Sequence, residues 1–139
     1  MSLTAGQSFF TPADSNVPRH LWVVVSDPAR DADHVVIANV STKAPPDLDP
    51  PEPPVTIGPR EHPSVSQRSY FRCDEARISP AALLERLLEK RTLSPTKAAP
   101  SLLVQKMQAA LLASRHTQLD IKGILRSQGW AAGESPTTG

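Results

Sequence analysis

Two short apolar runs, Leu21-Trp22-Val23-Val24-Val25 and Val35-Val36-Ile37-Ala38-Asn39-Val40, constrain this chain more than any other stretch. Both are rich in β-branched residues and end in polar or proline punctuation. Arg19-His20 and Ser26-Asp27-Pro28 flank the first; His34 and Ser41-Thr42 flank the second. Runs of this kind are buried strands rather than helices. Residues 26–33 between them are too polar for a core and rich in turn formers, so the two strands are expected to pair as a central hairpin. In an antiparallel pair the start of one strand lies beside the end of the next. Arg19 and His20 are therefore expected to approach Asn39, Ser41 and Thr42.

Val55-Thr56-Ile57 and Ser69-Tyr70-Phe71-Arg72-Cys73 continue the strand pattern, with a turn through Gly58-Pro59-Arg60-Glu61-His62-Pro63, and Ala76-Arg77-Ile78 leads out. Residues 43–54 are dense in proline, which removes backbone donors and favours extended geometry, giving a semi-rigid loop. Being acidic and set between strands of one domain, this segment reads as a loop rather than an SH3 ligand.

The helices come late. Ser79-Pro80 is a helix start, and Leu83, Leu84, Leu87 and Leu88 make an apolar stripe, predicting a helix over 80–91. A second is predicted over 100–114, with Leu103, Met107, Ala110 and Leu111 at helical spacing. Thr117-Gln118-Leu119-Asp120 resembles a capping box opening a third over 117–127. Strands followed by helices argue for an α+β domain, a small antiparallel β-barrel or curled sheet with the C-terminal helices packed on one face or end. Residues 1–16, including Phe9-Phe10, are expected to be a flexible leader draped over the domain, 17–128 the single domain, and 129–139 a disordered tail.

With a formal net charge of +1, any nucleic-acid surface must be a local patch, to which Arg60, Arg68, Arg72 and Arg77 are the candidates. Cys73 is the sole cysteine, which excludes an intramolecular disulfide and a thiolate metal cluster; it reads as a small buried residue. The chain has no apolar run of membrane-spanning length and no signal-peptide pattern, so a cytoplasmic protein away from membranes is expected. Phosphate-loop, dinucleotide, zincin and C-x-x-C motifs are absent, so neither a cofactor nor a metal is expected.

The order of these pieces resembles the MazF/PemK family of toxin endoribonucleases, small SH3-like barrels of toxin–antitoxin modules. Arg19 precedes His-Leu-Trp-Val-Val-Val-Ser-Asp as the family's arginine precedes its first core strand, with His20 in place of the family proline. Val36 to Thr42 resembles the next strand, which ends in a hydroxyl residue, aligned most simply at Ser41 with Thr42 beyond. Phe71 to Ser79 resembles the segment leading into a helix, with Glu75 in place of a glutamine, and Leu93-Ser94-Pro95 with the helix after it resembles the family's ending. The likeness covers about residues 17–114. The proline loop enlarges a family loop, and the family's glycine-rich turn before the arginine is absent.

The resemblance implies cleavage of single-stranded RNA without metal, the 2′-hydroxyl acting as nucleophile. It implies Arg19 as the leading catalytic residue and Ser41 or Thr42 as the phosphate-holding hydroxyl. An arginine is a poor proton acceptor because its pKa lies above about 12, so Arg19 suits electrostatic stabilisation. His20, with an ordinary pKa near 6.5, suits proton transfer better. Neighbouring strand residues point to opposite faces, so the two share a site only if the strand has not begun at Arg19. His62 is a candidate to close over the same end, and Glu75, Arg77 and Arg60 are substrate-binding candidates. The same likeness implies an antitoxin partner and a homodimer. The competing readings are a non-catalytic interaction module or decayed toxin, and a metal-dependent hydrolase using His20, His34 and His62.

Overall fold

The computed structural model describes residues 3–12 and 20–128, so Arg19 and the expected tail over 129–139 lie outside the described residues. Seven strands form one antiparallel sheet: β1 (Ser8–Phe10), β2 (Leu21–Val24), β3 (His34–Ser41), β4 (Val55–Ile57), β5 (Ser69–Phe71), β6 (Arg77–Pro80) and β7 (Ser94–Thr96). Three helices accompany it: α1 (Ala81–Glu89), α2 (Ser101–Ala113) and α3 (Leu119–Ser127). The α+β class and the three helices agree with the sequence reading.

The central hairpin is present as expected, with Leu21 opposite Val40, Trp22 opposite Asn39 and Val23 opposite Ala38. β3 is long enough to pair twice on its other side. Its first half meets β6, with Ile37 opposite Arg77, and its end meets β5, with Ser41 opposite Tyr70. The sheet runs β4-β5-β3-β2-β1-β7 and stays open, with β4 and β7 at its ends, rather than closing into a barrel.

The apolar runs are continuous because the sheet is covered on both faces. Leu21, Val23, Val36, Ala38 and Val40 point to one side, against Leu103, Met107 and Leu111 of α2 and Ile121 and Leu125 of α3. Val24 and Val35 point to the other, against Phe9 and the α1 residues Ala81, Leu84 and Leu88. Burying a side chain of this size contributes about 1.5–3 kcal/mol. The helices therefore divide between two faces, where one face or end was expected.

Three local expectations are corrected. Residues 8–10, assigned to a draped leader, are an interior strand paired with β2 on one side and β7 on the other. Gly6 leads into it with φ +91°; a Cβ there would lie 2.7 Å from the Ala99 carbonyl oxygen, close to the point where Ala99 N–H donates to Gly6 O. Only glycine combines that approach with a positive φ at little cost. Neither expected side-chain cap forms: α1 starts after Pro80 and α3 after Gln118, and no side chain caps either helix. At α1, the Ala81 N–H instead donates to the Asp33 carbonyl at 2.8 Å. The β2–β3 connection is tied down at its start, where Asp27 N–H donates to Gln128 Oε1 just past α3 at 2.8 Å.

The proline loop is anchored to the α2–α3 connection. Glu52 accepts from Ser114 Oγ at 2.7 Å and from the Arg115 N–H, and the Ser114 bond leads in holding its carboxyl below the usual range. His116 Nε2 donates to the Pro50 carbonyl at 2.7 Å.

Candidate functional site

Strand alternation puts Asn39 and Ser41 on the α1 side of the sheet, with Trp22 opposite Asn39 and Tyr70 opposite Ser41. Carrying the β2–β3 register one residue further sets His20 beside Ser41. His20 is held by two bonds to Thr11, whose Oγ1 accepts the His20 N–H at 3.1 Å and whose N–H donates to the His20 carbonyl at 3.1 Å. α1 does not cover this end of the face, and His20, Asn39, Ser41 and Tyr70 line an open cleft of about 580 Å³, with Lys43 and the start of the proline loop completing its wall. The polar ends of the two central strands converge.

One wall of the cleft is held by an ion-pair network. Glu75 Oε2 accepts from Asn39 Nδ2 at 2.9 Å, and Glu75 Oε1 pairs with Arg72 Nη1 at 2.8 Å. Arg72 also donates from Nε to Asp74 Oδ1 at 3.0 Å, and its second pair with Asp74 is shorter still. Asp74 first, and Glu75 after it, push the Arg72 guanidinium above its ordinary range. With both oxygens taken by donors, Glu75 fixes Asn39 and Arg72 in place.

Around His20 and Ser41 the chemistry is different. Ser41 Oγ accepts the Lys43 N–H at 3.2 Å, which leaves its own proton to donate. His20 Nδ1 is buried and has no hydrogen-bond partner. His20, Ser41 and Lys43 also border a second cavity of about 340 Å³, which Thr42 lines with Phe10 and Val65. His20 and Ser41 thus stand on the ridge between two cavities.

The remaining candidates fall elsewhere. His62 is 1 % exposed, its Nε2 2.9 Å from Ser8 Oγ and its Nδ1 accepting the Ser64 N–H at 2.9 Å. That burial pushes its pKa down and takes it out of the cleft wall. Arg77 lies with its guanidinium 5.9 Å from the Trp22 ring centroid, and Arg60 is exposed on the turn after β4. Arg68 and Arg72 line a common cavity. Among the described residues no group of three or more His, Cys, Asp or Glu side chains is placed to hold a metal ion, and His62 has both ring nitrogens engaged.

Lys43 and Tyr70 are site residues that the sequence reading does not single out, and Asn39 enters it only as a polar strand end. Tyr70 depends on the β3–β5 register, which a long irregular connection hides. No helix among the described residues is long and apolar enough to cross a membrane. No protein-family model matches the chain, and no curated protein matches it.

Proposed function

We propose that this chain is an SH3-like toxin of a toxin–antitoxin pair, a metal-independent endoribonuclease that cleaves single-stranded RNA at the His20–Ser41 cleft. The observation that carries the reading is the placement of His20 beside Ser41, a serine with a donatable proton, on the wall of one cleft. His20 takes the proton from a 2′-hydroxyl, whose oxygen attacks the adjacent phosphorus. The bond from phosphorus to the 5′ oxygen breaks, leaving a 2′,3′-cyclic phosphate, and a proton returned from the imidazolium or from water neutralises the leaving oxygen. Ser41 donates to a non-bridging oxygen as charge builds there, with Lys43 at the rim, and Arg19 has the same electrostatic role by resemblance.

In this reading an antitoxin segment covers the cleft, two copies associate, and the protein works in the cytoplasm, where its RNA lies. One observation favours the non-catalytic alternative: the Arg72 cation is already neutralised by Asp74 and Glu75, so less fixed positive charge faces a phosphate.

The test is incubation of the purified protein with mixed-sequence single-stranded RNA in excess chelator, with end-group analysis. Cyclic-phosphate ends, reduced roughly 100-fold or more in His20→Ala, support the enzyme. Cleavage that persists undiminished in both His20→Ala and Arg19→Ala, or no cleavage by the wild-type chain, rejects it.

A further inference from the structure

Next to the His20 cleft, and sharing Tyr70 and Arg72 with it, lies a second pocket of about 520 Å³ walled by the proline loop. Leu48, Pro51 and Pro53 form its loop side, with Val55 and Phe71 of the sheet opposite. Tyr70 is half-buried between the two pockets, and the Arg68 guanidinium lies 6.0 Å from its ring centroid. The loop is stiff by composition and tied at Glu52 to Ser114 and Arg115, so the slot is preformed. The prolines of this wall carry no N–H donor, and the donors that line the slot are the Arg68 and Arg72 guanidiniums of its sheet side.

We infer that this slot takes one unpaired nucleobase, stacked against Tyr70, from the strand whose phosphate lies at Ser41. The inference rests on the RNA-cleaving reading of the neighbouring cleft. An apolar peptide side chain would suit the proline wall, but it brings no anionic linkage to the Ser41 hydroxyl and Lys43. A nucleotide alternates a flat apolar ring with a charged phosphate, as the paired pockets alternate an aromatic slot with a polar rim.

The experiment measures fluorescence anisotropy of labelled 2′-O-methyl hexamers of adenosine, cytidine and uridine, which cannot be cleaved, with the wild-type chain, Tyr70→Phe and Tyr70→Leu. Thermal melts accompany each variant, the leucine being chosen to keep a folded strand while removing the ring. The expected result is binding of the oligomers that is weakened roughly 5- to 150-fold in Tyr70→Leu and retained in Tyr70→Phe. Equal binding of all three oligomers by folded wild-type and Tyr70→Leu overturns the slot. Cleavage of the matching RNAs, run in parallel, separates the two ideas. Cleavage with Tyr70-independent binding leaves the His20 reading and removes the slot, whereas Tyr70-dependent binding without cleavage leaves the slot and removes the nuclease. Neither binding nor cleavage removes both.

Discussion

His62 donates from Nε2 to the Ser8 hydroxyl at 2.9 Å, joining the turn after β4 to β1 deep in the protein. The tautomer follows from Nδ1, which accepts the Ser64 N–H, and the chain of bonds ends where Ser8 Oγ donates to the Gly6 carbonyl at 2.9 Å. No position remains for a second ring proton, and burial lowers the pKa. Below an ordinary histidine pKa of about 6.5 the unfolded chain therefore binds a proton that the folded chain refuses. Stability should fall as pH drops from about 6.5, and melts of wild-type and His62→Gln between pH 7.5 and 5 should differ in slope, with the wild-type curve the steeper. Parallel curves would show that the ring titrates freely in the folded chain.

Asn39 is buried and its amide faces the Glu75 carboxylate. Asn39→Ala leaves that oxygen without its donor and should cost about 1–3 kcal/mol. Asn39→Asp goes further by setting a second carboxylate against the first, so its deficit in melting temperature should be largest at neutral pH. It should narrow toward pH 4.5, where the pair can share a proton. A pH-independent deficit would mean that the Asn39–Glu75 contact is not close in solution.

Burial pushes the Cys73 thiol up to about 11, against which the Ser114 and Thr117 hydroxyls only partly compensate. From an ordinary value of 9.0 this means about 100-fold less thiolate at pH 8. A disulfide reagent should label the native protein far more slowly than the urea-unfolded chain. Labelling at the unfolded-chain rate under native conditions would place the thiol at the surface.

What could be read from the sequence follows from how locally each feature is encoded. The β2–β3 hairpin and the three helices show in the apolar pattern because each buries a face defined by its own residues. β1 and β7 do not show: Ser8–Phe10 and Ser94–Thr96 are three residues each, the second carries Pro95, and they are strands because they pair with each other. Likewise His20 and Ser41 meet through hairpin pairing and were expected to approach. Tyr70 joins them only through the return from the proline loop, and His62 reads as a solvated turn residue until β1 is known to supply Ser8.

The interior position of β1 bears on how the chain can be handled and assembled. A version lacking its first ten residues would leave β2 and β7 with bare backbone edges, ready to recruit strands from other molecules. During synthesis, β1 is made before the hairpin it joins, yet its far edge stays open until residues 94–96 have been made. The stretch that reads as a dispensable leader is thus a seal against polymerisation, and the last partner of that seal arrives only after α1.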